Sequence, residues 1–230
     1  MRWIVTIVIG MLAGLAGSAV WSYSGLAGNA TRSYLLANPE ILPEAINELR
    51  RREVASAIAP LRTELETPFP GAVLGNPEGS VTLVEFSDYA CGFCRRSVAD
   101  VEALIAENPD LKVVIREFPI LSPGSADAAR MALAAAQQGK FAAFHSAMFE
   151  AGQIDADSID AAARSAGIDL AQAHAAIEEG AFEGHLQSNF MLAQNLGFTG
   201  TPSWIVGDSM FDGAVGRGPI SEAIEAARES

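Results

Sequence analysis

Residues Val81 to Arg96 read VTLVEFSDYACGFCRR, and no other stretch constrains the fold as much. The first six are β-branched or apolar apart from Thr82 and Glu85, as expected of a strand buried on both faces. Ser87-Asp88-Tyr89-Ala90 makes a short polar turn. Cys91-Gly92-Phe93-Cys94 then runs into a helical pattern with Val98, Val101, Leu104 and Ile105 on one face. The two cysteines therefore sit at the N-terminus of a helix fed directly by a buried strand.

That position has chemical consequences. The free N–H groups and dipole of a first helical turn favour negative charge, and the thiolate is the form of cysteine that attacks a disulfide. Cys91 is expected to be the more exposed of the pair. Cys94 lies one turn on, close enough to close a ring with it. Arg95 and Arg96 either add positive potential or are simply solvated. A structural zinc site needs four ligands, and the chain has two cysteines. His145, His174 and His185 show no ligand spacing to the pair. A c-type haem site needs His after the second Cys, where Arg95 stands. An inert structural disulfide across so small a ring constrains little. A redox-active dithiol fits best, and it requires no metal and no cofactor.

Glu85-Phe86-Ser87-Asp88-Tyr89-x-Cys91-x-x-Cys94 resembles the active site of the DsbA-like branch of the thioredoxin superfamily. Read by itself, a carboxylate in a buried strand costs energy unless it titrates, is used, or points to a wet edge. The resemblance implies that Glu85 accepts or donates a proton, through water, as Cys94 ionises. Gly197-Phe198-Thr199-Gly200-Thr201-Pro202-Ser203-Trp204-Ile205-Val206 carries a second signature. A proline cannot donate to a sheet ladder, so Pro202 at the head of an apolar strand marks an edge or a special turn. Downstream of a CxxC it resembles the cis-proline loop of the superfamily. The resemblance then implies that Pro202 is cis and packs beside Cys91, and that the Thr201 backbone pairs with substrate polypeptide as a short strand. Thr201, Pro202 and Phe93 are the candidate substrate-binding residues.

The expected fold class is α/β: a thioredoxin-like fold with a DsbA-like helical insertion, preceded by an N-terminal helical extension and one hydrophobic span. The catalytic domain is expected over 73–230. Leu111 to Phe118 (LKVVIREF) is its next strand, parallel to the first across a right-handed crossover in a thioredoxin-like order. The insertion spans 123–197 and is alanine-rich, with Gly139, Gly167, Gly180 and Gly197 as helix stops. Ser209 to Val215 and Ile220 to Glu229 supply a last strand and a closing helix. Residues 1–22 read as a signal peptide or a membrane anchor, since Trp3 to Trp21 carry no charge and Arg2 precedes them. Either way the following chain is exported to the periplasm, an oxidising compartment that suits a dithiol enzyme. Residues 31–66 form a helical extension, with Leu35, Leu42 and Leu49 seven apart and Ile46 between. Val54, Ile58, Leu61 and Leu65 continue the stripe after a change of phase, and Pro60 should kink or split it. Such a stripe packs on its own domain or on a second copy, giving a homo-oligomer. Its Leu-Leu-x-Asn-Pro-Glu-Ile-Leu run resembles the extension of the suppressor-of-copper-sensitivity C group, a DsbA-like subset that includes oligomers. Residues 67–80, rich in Pro and Gly, read as a linker or a short lead-in strand and mark the domain boundary.

The formal net charge of -13 argues against nucleic acid and against an anionic membrane surface as partners. The expected function is an exported protein thiol–disulfide oxidoreductase. Its partners are cysteine-containing exported proteins and a membrane redox partner. Two directions compete. DsbA-like oxidases commonly carry Pro-His between the cysteines and Val before the cis-proline. Here Gly92-Phe93 and Thr201 stand in those places, and Thr before the proline resembles the isomerases, so the reading leans to isomerase or reductase with the oxidase open. A reading of another class is a membrane-tethered oligomeric chaperone or copper-binding module whose two thiols hold Cu(I).

Overall fold

A computed structural model of the chain describes residues 26–229 and, before them, Trp3, Thr6, Ile7, Gly10, Met11, Gly14 and Gly17. Most of the expected hydrophobic span, residues 1–22, lies outside the described residues. Among the described residues no helix is long and apolar enough to cross a membrane. The chain forms two compact units, Met1–Arg52 and Glu53–Ser230.

In the first unit α1 (Leu26–Ala37) stops at Asn38-Pro39, because proline pushes the residue before it out of helical geometry. Asn38 Nδ2 closes the end by donating to the Tyr34 carbonyl at 2.8 Å. Helix α2 (Ile41–Ile58) follows. Its Leu42, Ile46 and Leu49 recur at helical spacing and are 49, 49 and 56% exposed. The polar face is tied by Glu48, whose carboxylate accepts from the Nε groups of Arg51 and Arg52 at 2.9 and 2.6 Å.

The second unit is a three-layer α/β/α domain. It comprises α3 (Arg62–Glu66), β1 (Val73–Gly75), β2 (Val81–Ser87), α4 (Gly92–Glu107), β3 (Leu111–Glu117), α5 (Pro123–Gln137), α6 (Phe141–Ala151), α7 (Ala156–Ser165), α8 (Leu170–Glu178), α9 (Glu183–Asn195), β4 (Ser203–Val206), β5 (Ser209–Asp212) and α10 (Arg217–Arg228). The sheet order is β1-β3-β2-β4-β5. β2 runs parallel to β3, and the other pairs are antiparallel. The fold is thioredoxin-like with a helical insertion, as the sequence leads one to expect.

The period of two in the strands decides what each face holds. Val81 and Leu83 of β2, with Leu111, Val113 and Ile115 of β3, pack in one core with residues of α4, α5 and α6. Val84, Phe86 and Val114 face the other way, onto Ile58, Leu65, Leu192 and Leu196. The late part of the N-terminal stripe therefore belongs to the domain core: Ile58 and Leu65 are fully buried there. Two boundaries differ from the sequence reading. β5 ends at Asp212 instead of Val215 because Gly213 turns the backbone into positive φ (79°). The closing helix starts at Arg217, three residues early.

Arg116 fastens α3 to this sheet. It points to the second face with Val114, and it is only 2% exposed. Its guanidinium donates to the carbonyls of Leu65 (3.0 Å), Thr67 (2.6 Å) and Glu64, and to Asn189 Oδ1 (3.1 Å). These include helix C-terminal carbonyls, which have no intrahelical donor and carry the negative end of the dipole. A buried cation is tolerated because each fork position finds an oxygen. Arg116→Leu strips several buried carbonyls of their donor at once and is expected to cost about 3 kcal/mol or more. Urea denaturation with an unchanged slope checks this. Arg116→Lys should recover only part of the loss.

Candidate active site

Helix α4 opens on Cys91, which is its N-cap. The Cys91 backbone is extended (φ -79°, ψ 114°), and its Sγ accepts a hydrogen bond from the Cys94 amide at 3.4 Å. Both thiols are free. Cys91 is 4% exposed and Cys94 fully buried, so Cys91 is the more accessible, although only its edge reaches the surface. The Cys91 thiol donates to the Thr201 carbonyl at 3.1 Å. The Thr201–Pro202 peptide bond is cis, and Pro202 is buried. Two stretches separated by 110 residues thus meet at one sulfur. They meet because β4, which follows Pro202, pairs antiparallel with β2, which leads to Cys91.

Beneath the sulfurs lies a carboxyl. Glu85 is 4% exposed. Burial, with little to offset it, raises its pKa to about 8. Burial and, next, the charge of Glu85 push the Cys94 thiol far up. The buried hydroxyls of Ser87 and Thr201 lie by Cys94 and oppose that rise, and the Ser87 hydroxyl also acts on Glu85. Two groups that resist charge for the same reason cannot both be ionised cheaply. The arrangement can therefore release a Cys94 thiolate when Glu85 is free to take the proton.

Other groups frame the mouth. Asp88, buried, accepts from the amides of Ala90 (2.8 Å), Ile120 (2.8 Å) and Leu121 (2.9 Å), which ties the cysteine turn to the loop after β3. Phe93 is 55% exposed, and the Arg96 guanidinium stacks over its ring at 4.3 Å. Arg95 donates to the Gly152 carbonyl at 3.2 Å. Neither arginine is idle.

The sequence reading missed Asp88, Glu117 and His145. Glu117 and His145 are buried and meet at Tyr89, whose hydroxyl is 3.1 Å from Glu117 Oε1 and 3.1 Å from His145 Nδ1. The available signal was the pair Arg116-Glu117 inside an apolar strand, which raises the same question as Glu85. Among the described residues, no group of three or more His, Cys, Asp or Glu side chains gathers as a metal site.

Residues 82–225 match the model of the DSBA-like thioredoxin domain, and residues 29–55 match that of the copper resistance protein ScsC N-terminal domain. Among solved structures, a thioredoxin-like oxidoreductase from Silicibacter pomeroyi DSS-3 is 44% identical, with TM-score 0.66, over 69% of this chain and 92% of that one. The thiol-disulfide exchange protein alpha-DsbA2 of Wolbachia pipientis is 30% identical, with TM-score 0.70, over 77% and 97%. Proteus mirabilis ScsC in a transitional conformation is 27% identical, with TM-score 0.65, over 86% and 91%. Among curated proteins, a 72-residue stretch is 40% identical to the Na(+)/H(+) antiporter NhaA 1 of Mycobacterium sp. (strain KMS). That match spans 30% of this chain and 12% of the antiporter.

The raised proton affinity of Glu85 makes a stability prediction with a definite sign. The folded chain holds this proton up to about pH 8, the unfolded chain only to about 4.3. Between those values the folded state binds more protons, so its stability falls as pH rises. Glu85→Gln removes the penalty. It is expected to stabilise the reduced protein by about 3 kcal/mol at pH 7 and by nearly nothing at pH 4. Urea denaturation at the two pH values checks it.

Proposed function

The chain belongs to the family of DsbA-like thioredoxin domains, which are thiol–disulfide oxidoreductases, and from that premise we propose that it is an exported enzyme exchanging disulfides with cysteine-containing proteins through Cys91 and Cys94. The observation that carries the reading is the meeting of Cys91 Sγ, at a helix N-terminus, with the carbonyl that precedes cis Pro202, above a buried Glu85.

In the reducing direction, the Cys91 thiolate attacks a substrate disulfide. A Cys91–substrate S–S bond forms, and the other substrate sulfur leaves as thiolate and is protonated by solvent. The Thr201 backbone holds the substrate strand beside Cys91, and the exposed ring of Phe93 offers apolar contact. Once Glu85 has given up its own proton, which its pKa of about 8 leaves in place on most molecules at neutral pH, the carboxylate takes the Cys94 proton through water, and the Cys94 thiolate attacks Cys91 Sγ. The Cys91–Cys94 bond forms and the second substrate sulfur leaves. Substrate oxidation is the same path reversed.

Isomerase or reductase is the favoured direction. Phe93 offers the Cys91 thiolate neither a charge nor a hydrogen bond, so the dithiol gains less stabilisation than in a strong oxidant. Residues 31–52, with Leu42, Ile46 and Leu49 exposed, join copies of the chain. Several Cys91 sites then share one space, where one copy holds a substrate while another attacks. A membrane redox partner keeps the dithiols reduced. The apolar run after Arg2 supports export.

Cys91→Ser should abolish reduction of a disulfide-bonded protein, and Cys94→Ser should accumulate a mixed disulfide visible as a reductant-sensitive adduct. Wild-type turnover by Cys91→Ser would refute the reading. Deleting residues 31–52 should convert a multimer to a monomer in light scattering and lower refolding of scrambled protein about tenfold or more.

A further inference from the structure

The chain carries 28 acidic side chains against 15 basic ones, so an arginine without an acid beside it is the exception. In the unit Glu53–Ser230, Arg62, Arg130, Arg164, Arg217 and Arg228 each lie within ion-pair distance of a carboxylate. Arg116 is spent on buried carbonyls. Among the described residues, the arginines of this unit left without a carboxylate are Arg95 and Arg96, and both border the cysteines. The lysines of the unit stand elsewhere. Lys112 is at the start of β3, whose other end runs beside the strand leading to Cys91. Lys140 precedes α6, whose other end meets Arg95.

Arg95 and Arg96 follow Cys94 directly on α4, and both are exposed. Arg95 turns toward α6. It donates to the carbonyl of Gly152, the C-cap residue of that helix, at 3.2 Å. The negative end of the α6 dipole lies there, so Arg95 ties two helices together. Arg96 turns instead onto Phe93, with its guanidinium carbon 4.3 Å from the ring centroid. The contact engages the charge with the face of the ring. The five N–H donors of a guanidinium lie in its own plane, as a fork that matches a carboxylate. Among the described residues nothing accepts a hydrogen bond from them. Even Asp100, four residues on and so on the same side of α4, stays out of ion-pair reach. An exposed pair normally loses part of its gain to side-chain freedom. The ring restricts Arg96 beforehand, which lowers that cost.

We propose that Arg96, held on Phe93, binds a carboxylate of the substrate polypeptide, so that the enzyme selects cysteines with an acidic residue two positions away. The inference rests on the reading that Cys91 attacks a substrate disulfide while the substrate strand lies along Thr201. In an extended strand, side chains two apart share a face. When the substrate cysteine faces Cys91, the residues two before and two after it face the same surface. Phe93 and Arg96 stand on that surface, on the first turns of α4. An acid placed there meets the free fork of Arg96, whereas a lysine there is repelled by Arg96 and Arg95 together. Such a rim charge acts mainly on the rate of encounter and weakens with salt.

The test uses the reduced full chain and peptides of one sequence with Glu, Gln or Lys two residues before or after a single cysteine. That cysteine is blocked as a mixed disulfide with a chromogenic thiopyridine, which carries no carboxylate. The Cys91 thiolate attacks the peptide sulfur, a Cys91–peptide S–S bond forms, and the thiopyridine leaves, takes a proton from solvent and is read by stopped flow. From one of the two positions, Glu should react about fivefold faster than Gln at low salt, the size of a good exposed pair. Lys should be slower than Gln, and added salt should shrink both differences. Arg96→Gln should remove most of the preference, and Arg96→Glu should reverse it, an inversion that a merely structural arginine would not produce. Equal rates for the three peptides at both positions would overturn the proposal, and so would a Glu preference that survives in Arg96→Glu. Thiopyridine release that persists in Cys91→Ser would sink the exchange reading itself, whereas release that needs Cys91 but ignores the acid sinks the selectivity alone.

Discussion

A carboxyl and a thiol share one buried site, and the rest of the molecule is arranged around that constraint. Glu85 and Cys94 are each disfavoured as anions by burial, and the charge of one disfavours the other. In water two such charges would hardly notice each other. In a medium of low effective dielectric their repulsion amounts to several kcal/mol. One negative charge is tolerated and two are not. A proton must therefore move whenever the sulfur changes state, which turns a packing cost into a coupling between proton and disulfide chemistry.

That coupling needs a rigid frame. β2 lies at the centre of the sheet, paired in parallel with β3 and antiparallel with β4. The first pairing puts Glu117 on the face of Glu85, and the second brings the Thr201 carbonyl to Cys91. The far face is closed by Ile58, Leu65 and the α9 residues Leu192 and Ala193. Arg116 holds α3 there through the carbonyls of Glu64, Leu65 and Thr67, so the buried cation and the buried acids are kept on opposite faces of β3.

Much of this was readable in the chain. The buried strand, the CxxC at a helix start and Thr201-Pro202 before an apolar strand each follow from local chemistry. So do the glycine stops, since Gly139, Gly167, Gly180 and Gly197 all adopt positive φ. The rest depended on register and distance. Glu117 becomes a neighbour of Glu85 only when β2 and β3 pair as they do, and one residue of slip would reverse its face. His145 was weighed as a metal ligand and set aside, yet its partner is Tyr89, 56 residues away. The split expected at Pro60 is there, since one helix ends at Ile58 and the next begins at Arg62, but the sequence left open that Ile58 and Leu65 would turn into the domain core. Phe93 and Arg96 are three apart on α4, a spacing that lets side chains meet; reading Arg96 as positive potential or as solvated left out their stacking.

The claim at the centre is that Glu85 is protonated near neutral pH in the reduced enzyme and gives up that proton slightly above it. Infrared difference spectroscopy of the reduced protein reads this directly, because a neutral carboxyl has a carbonyl band that a carboxylate lacks. The account predicts one carboxyl band that disappears with a midpoint about pH 8 and is missing from Glu85→Gln. A Glu85 band that disappears near pH 4 to 5, as for a solvated glutamate at roughly 4.3, would contradict it.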